Sequence, residues 1–257
     1  MPGCQPLSPP LAFRMAIRVA GHTDVGRVRS QNQDALLQRP GRGLVAVADG
    51  MGGHAAGDIA SRIAVDVIDD RSAHLPTAGI GEYLRESVAA AHTAILHAAE
   101  ADPALEGMGT TLTVFVAIPP DGSGRCLIAH VGDSRAYRLR DGVLEQLTRD
   151  QTWVQDQVDA GRLSPEQARH HPFSAMITSA LGVAEERLDV ELLEATCEPG
   201  DTLLLCSDGL TARLDDDDLR RILVEDREPD SAARALVDAA NDAGGPDNIT
   251  VGLVRIE

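Results

Sequence analysis

The chain has 257 residues, enough for one domain with a full core, and at 43% hydrophobic but 2% aromatic that core must be built from Leu, Val, Ile and Ala. A net charge of -17 excludes attraction to nucleic acid or an anionic membrane through the general field, so a phosphate ligand must be met by a metal or a placed arginine. No apolar stretch approaches the roughly 20 residues of a bilayer span, and four Cys without paired spacing point to free thiols in a reducing cytoplasm.

Residues 1–14 are Pro-rich without a signal-peptide core, and are expected to form a loose tail ahead of a single domain over 15–257. Ile17 to Thr23 reads as a first strand and Ala35 to Gln38 as a second. In the polar link between them Arg29 precedes Asp34 closely enough for both to aim at one cavity, whereas Arg27 reads as a solvated charge. Leu44 to Ala48 is a short buried strand that stops at Asp49, followed by Gly50, Met51, Gly52, Gly53 and His54. Ile59, Ile63, Val67 and Ile68 then mark one face of a helix, and Tyr83, Leu84, Val88, Ala91, Ile95 and Leu96 a longer one. Leu112 to Ile118, Arg125 to Val131, Ala136 to Arg140 and Val143 to Leu147 read as a meander, hence antiparallel sheet. Asp150 to Leu181 interrupts it with helical patterns and the cap Ser164-Pro165, an excursion expected to form a flap over a site. Strands return near Val190 to Leu193 and at Thr202 to Cys206. Helices follow from Leu214-Asp215 and over Ser231 to Ala240, and Ile249 to Arg255 closes the chain as a strand.

One arrangement recurs. Asp49, Asp133, Asp208 and Asp247 each stand in a Gly-containing loop beside an apolar strand, which suggests a single acidic, oxygen-rich site. Oxygen donors suit the hard cations magnesium, manganese or calcium, while zinc or copper would normally recruit His or Cys, and only His54 of the eight His lies in one of these loops. Gly50 would let its main-chain carbonyl approach a ligand without a side chain in the way. A phosphate-cradling loop of the GxxxxGK[ST] kind is ruled out, because the chain contains no Lys, and no GxGxxG follows Ala48.

The stretches RVRSQNQD, VAVADGMGGHAAGD, GMGTTLT, AHVGDSRAYRL, ITSALG, LLLCSDGL and GGPDNITV resemble, in family order, the bacterial metal-dependent type-2C (PPM) protein serine/threonine phosphatases. The resemblance implies an α/β (α+β) sandwich of two antiparallel sheets face to face, helices on both outer sides and a flap over 150–181. It implies a pair of manganese or magnesium ions bridged by Asp49, one also held by the Gly50 carbonyl, the second completed by Asp208 and Asp247. Asp133 with Asp208 would hold a weaker third ion. Asp34 would orient the attacking water, and Arg29 would grip the substrate phosphate with its fork of donors. His54 is a candidate proton donor to the leaving group, although it stands a few residues later than the acid of the eukaryotic branch; a loop His that caps the next helix is the alternative. Asn248 is expected to fix the loop around Asp247.

The chemistry so implied is direct hydrolysis of phosphoserine or phosphothreonine by a water between two cations about 3.5 to 4 Å apart. Expected partners are phosphorylated proteins and the kinases that act on them, with no nucleic acid and no membrane, and the protein is expected to be a cytoplasmic monomer. A PPM-fold module that binds without turnover is the alternative. Gln151 and Ser179 depart from the family's common His and Arg, and Gln33 from its common Glu; the first two bear on substrate selection more than on metal binding.

Overall fold

The computed structural model describes residues 16–52, 56–76, 78–118, 124–183 and 188–257. The expected tail and His54 lie outside the described residues. The strands are β1 (Ile17–Asp24), β2 (Asp34–Arg39), β3 (Leu44–Met51), β4 (Gly109–Thr110), β5 (Leu112–Ala117), β6 (Arg125–Val131), β7 (Arg135–Arg140), β8 (Val143–Gln146), β9 (Glu191–Thr196), β10 (Thr202–Cys206) and β11 (Ile249–Ile256). The helices are α1 (Ala56–Ser72), α2 (Ile80–Ala101), α3 (Trp153–Asp159), α4 (Pro165–Arg169), α5 (Asp208–Thr211), α6 (Asp216–Glu225) and α7 (Pro229–Asp242).

Two antiparallel sheets result, one ordered β1-β11-β10-β7-β8 and the other β2-β3-β5-β6-β9, with β4 paired to β3. β3 shows why its sequence is apolar without alternation. Leu44, Ala46 and Ala48 pack against α1 and α2, while Val45 and Val47 face the other sheet. The opposite outer face is covered by α6 and α7, through Leu219, Leu223, Leu236 and Val237. Aromatic content is low because close approach replaces bulk: α1 presents Ala56, Ala60 and Ala64 to its sheet, and among described residues the aromatics fully buried are Phe115 and Tyr137. No helix among the described residues is long and apolar enough to cross a membrane.

Two readings need correction. β3 does not stop at Asp49 but runs to Met51, because Gly50 and Met51 pair with Thr110 and Gly109 of β4, a strand too short to show in the sequence. The meander is also two hairpins, not one sheet. β5 and β6 pair in one sheet, β7 and β8 in the other, and the chain changes sheet at Gly132 to Ser134. Between Asp150 and Leu181 the flap carries α3, capped by Thr152, and α4, capped by a full Ser164/Gln167 box. Trp153, His171 and Phe173 cluster there with ring centroids 5.1 to 5.6 Å apart.

Candidate metal centre

The mouth of the sandwich gathers the carboxylates. Asp34 opens β2 directly opposite Asp49 on β3, so the period of two puts both on the face that looks toward the other sheet. From that other sheet come Asp208, just beyond β10 at the start of α5, and Asp247, just before β11. Asp133 sits at the sheet change between β6 and β7. The five predicted carboxylates are thus brought to one end of the molecule.

A network of buried hydroxyls holds their backbones. The Asp49 N–H donates to Thr111 Oγ1 (2.9 Å), and the Asp49 carbonyl accepts from the Thr111 N–H and Thr110 Oγ1 (each 2.9 Å). Thr111 Oγ1 meets Ser134 Oγ at 2.7 Å, and Thr113 Oγ1 donates to the Ser134 carbonyl (2.8 Å) while facing His130 Nδ1 at 2.9 Å. Ser207 Oγ donates to Asp34 Oδ2 (2.7 Å) and accepts the Thr250 N–H (2.9 Å). Gly50 packs backbone to backbone: a Cβ there would stand 2.0 Å from the Gly57 carbonyl oxygen and 2.5 Å from that of Gln33. At Gly209 a Cβ would meet the Asn248 carbonyl oxygen at 2.0 Å, so the loops bearing Asp208 and Asp247 touch through their main chains. Asn248 fixes its surroundings as expected, accepting from the Gln33 N–H (2.8 Å) and donating to the Val25 and Gln31 carbonyls (2.9 Å each).

This scaffold crowds negative charge. Burial pushes the Asp34 carboxyl up to about 7, against the pull of the Ser207 hydroxyl and with help from the Asp208 and Asp247 charges. Asp133 is likewise pushed up to about 7, by burial and then by Asp208 and Asp150, with Arg135 opposing. Asp49 is raised well above the ordinary range by burial and by Asp34, Asp208 and Asp133, and Asp208 is raised by burial and Asp247. Positive charge is scarce. Arg29 reaches in with Nη2 2.8 Å from Asp247 Oδ2, half exposed, while Arg135 is committed to Asp150 by three contacts of 2.6 to 3.1 Å.

Such a set fits divalent cations. Asp34 Oδ1 is buried without a hydrogen-bond partner, the donors are all oxygen, and repulsion among the carboxylates is what a hard cation would relieve. Among the described residues, no three His, Cys, Asp or Glu side chains converge tightly enough to enclose an ion by themselves. Main-chain oxygen and water would complete the shells of ions held there.

Sequence reasoning passed over Thr111, Ser134 and Ser207. A signal was present, since a hydroxyl residue adjoins Asp133 and Asp208 and a Thr pair follows Gly109. Gln151 and Ser179 prove to be internal. Gln151 Oε1 accepts the Gly132 N–H (2.8 Å) and Nε2 donates to the Asp189 carbonyl (3.0 Å), while Ser179 Oγ accepts the Asp189 N–H (3.3 Å).

Residues 23–238 match the model of the family described as Protein phosphatase 2C. The chain is 40% identical over 237 residues to the serine/threonine protein phosphatase PstP of Mycobacterium tuberculosis, covering 92% of this chain and 44% of that protein, so it spans less than half of that relative. It is 39% identical over 240 residues to the serine/threonine phosphatase stp of Listeria monocytogenes, covering 91% of this chain and 93% of that one. The crystal structure of the PstP catalytic domain in complex with two manganese ions superposes with a TM-score of 0.85 at 38% identity, covering 94% of this chain and 99% of that chain.

Proposed function

The chain belongs to the protein phosphatase 2C family, and we propose that it is a metal-dependent phosphatase that hydrolyses phosphoserine and phosphothreonine in proteins, using manganese or magnesium. One observation carries this reading: five carboxylates are gathered at the sandwich mouth, where among the described residues Arg29 pairs with Asp247 and Arg135 is committed to Asp150, an arrangement that leaves negative charge for divalent ions to balance. Two bound cations would supply an acidified water and Lewis acidity toward the phosphoryl oxygens.

The chain's own residues have the remaining roles. Asp49 and the Gly50 carbonyl, with Asp208 and Asp247, hold the ions, and Asp133 with Asp208 offers a weaker third position. Asp34, fixed by Ser207 on one oxygen, has its second oxygen free to accept a hydrogen bond from the attacking water and orient it in line. Arg29 gives up Asp247 for the substrate phosphate, a bidentate contact that a lysine could not copy. His54 supplies a proton to the leaving alkoxide. The protein works as a cytoplasmic monomer on phosphorylated proteins, opposing Ser/Thr kinases. A binding module without turnover is disfavoured, because such a module has no use for this full set of carboxylates.

The test is phosphate release from a phosphothreonine peptide with manganese, with magnesium and with chelator. Release that depends on the divalent ion and stops with chelator is expected. Chelator-insensitive release, or none with either ion, would overturn the proposal. For His54, His54→Ala should slow a phosphoserine peptide by roughly 10²-fold and an aryl phosphate much less.

A further inference from the structure

Two of the cysteines meet at the end of the sandwich remote from the carboxylates. Cys126 is the second residue of β6, and Cys197 directly follows β9. The two strands are antiparallel neighbours in the register Cys126↔Ala195 and Arg125↔Thr196, and the Cys197 N–H continues the ladder by donating to the Gly124 carbonyl (2.7 Å). The cysteines are therefore diagonal partners on one face of the sheet. Their Sγ atoms lie 3.2 Å apart in the apolar layer between the sheets, with Cys126 1% and Cys197 5% exposed.

The surroundings favour chemistry over mere packing. Arg138 Nη1 and Arg140 Nη2 both donate to the Thr196 carbonyl, at 3.3 and 2.9 Å, which brings two guanidinium groups beside the pair. The bond from Cys197 and the Arg138 charge draw the Cys126 thiol below its ordinary value, and the same bond raises Cys197, so Cys126 is the better thiolate and Cys197 the proton holder. Solvent is one residue away, since Thr196 and Glu198 on either side of Cys197 are exposed. Cys206 has no such company. It is fully buried on β10 under the helices, with burial pushing its thiol up to about 12.

We propose that Cys126 and Cys197 are a redox-modification site, closed to a reversible disulfide by a peroxide-class oxidant and reopened by a small thiol. The Cys126 thiolate attacks one peroxide oxygen; an S–O bond forms, the O–O bond breaks, and hydroxide leaves to take up the proton that Cys126 released. Cys197 Sγ then attacks the oxidised sulfur; the S–S bond forms, the S–O bond breaks, and a second water departs with the Cys197 proton. Two thiols have lost two electrons and one peroxide has become two waters. The sulfurs must close by roughly 1 Å to bonding distance, which Cys197 can accommodate because it lies just beyond its strand. The cross-link spans 71 positions of chain and encloses Asp133 and the whole flap.

The test treats the reduced full-length protein with graded hydrogen peroxide, quenches in acid, alkylates under denaturing conditions and maps the peptides by mass spectrometry. A single peptide pair joining Cys126 to Cys197 and lacking two hydrogens is expected, with Cys206 still alkylated and dithiothreitol reversing the change. Cys206→Ser should keep the cross-link and Cys197→Ser should lose it. The proposal is overturned if both thiols stay alkylatable at doses that oxidise Cys4, or if either passes to a sulfinic acid without joining the other. The mapping of the unaltered protein decides this even if a variant folds poorly.

Discussion

An aspartate stands at each end of strand β10, Asp201 buried and Asp208 half-buried, and the protein treats the two in opposite ways. Asp201, 1% exposed, receives Arg140 through Nε at 2.8 Å and Nη2 at 2.6 Å, and accepts the Glu198 N–H at 2.8 Å. Asp208, at the far end, stands among Asp49, Asp133 and Asp247, with no guanidinium among the described residues paired to it and only the Arg29 and Arg135 charges nearby. Burying a charge without a partner costs several kcal/mol, so a fold that tolerates the second arrangement is set up for a cation from outside. Where a carboxylate serves structure alone, the chain supplies the countercharge itself.

The comparison breaks first at Asp49. Asp49→Asn should lower turnover by roughly 10³-fold, the equivalent of about 4 kcal/mol, and weaken manganese binding in calorimetry. The metal-free fold should melt no lower than the parent, because one of several repelling carboxylates has gone. Undiminished manganese binding would show that Asp49 is not a ligand. Asp201→Asn should do the reverse, since it removes the buried charge that two of the Arg140 nitrogens face and leaves Arg140 with Glu198 as its remaining carboxylate. A loss of about 3 kcal/mol in urea unfolding is expected, with manganese affinity and KM as in the parent. If both substitutions destabilised equally, the two ends of β10 would not differ in kind.

The acidic end was legible in the sequence because each carboxylate lies beside an apolar run, where a strand can deliver it. The sandwich and its outer helices could be expected from the family resemblance, whereas the split of the β5 to β8 meander between two sheets could not. What holds the site was not legible. Thr111 joins β4 to β5, Thr113 and His130 lie on β5 and β6, Ser134 is at the sheet change between β6 and β7, and their contacts exist only once these strands pair. Asp201 looked like an ordinary turn residue, since nothing near it in sequence announces Arg140. Gln151 reads in the sequence as bearing on substrate selection, and the fold adds a link between three segments that its sequence neighbours do not announce. The cysteines showed no spacing because a diagonal pairing across 71 positions leaves none.

Arg29 sharpens the comparison from the other side, as a guanidinium that reaches the acidic mouth and pairs there with Asp247. If it serves substrate and not structure, Arg29→Ala should raise KM by roughly 30-fold, about 2 kcal/mol, and leave manganese binding and thermal midpoint nearly unchanged. Arg29→Lys should recover little of the loss. A fall in midpoint like that of Asp201→Asn would make Arg29 the structural countercharge of Asp247.

His130 adds a pH dependence to the scaffold. It is fully buried, with Thr113 at Nδ1, the Arg149 carbonyl at Nε2 (3.1 Å), Glu191 opposite on β9 and the Asp150 charge nearby. Burial pulls its pKa from the ordinary 6.5 down to about 4, so the unfolded chain takes up the proton first. The contribution of His130 to stability is therefore fully present above about pH 6.5 and is lost as pH falls toward 4, by about 2 kcal/mol between pH 7 and pH 5. The raised Asp34 and Asp133 carboxyls act with the opposite sign, in the parent and in a His130 variant alike. Urea midpoints of the parent and of His130→Gln across that range check it. Parallel pH curves for the two proteins would remove His130 as the cause.

The smallest effect expected is at Gln151, where neutral hydrogen bonds alone hold the acidic end in place. Its side chain is 7% exposed and ties the Gly132 N–H to the Asp189 carbonyl, while its main chain donates to the Gly132 carbonyl and accepts from the Thr178 N–H (2.8 Å each). The entry of the flap, its exit and the Asp133 loop therefore meet on one residue. Gln151→Ala keeps the main-chain bonds and removes the two side-chain ones, so the loop should loosen without unfolding. Turnover should fall less than about 10-fold, under about 1.4 kcal/mol. The informative readout is manganese titration. If Asp133 contributes to a weaker third position, the tight phase should keep its affinity while the weak phase shifts to higher concentration. Equal weakening of both phases would mean that the clasp supports the whole mouth, and an unchanged weak phase would separate Asp133 from metal binding.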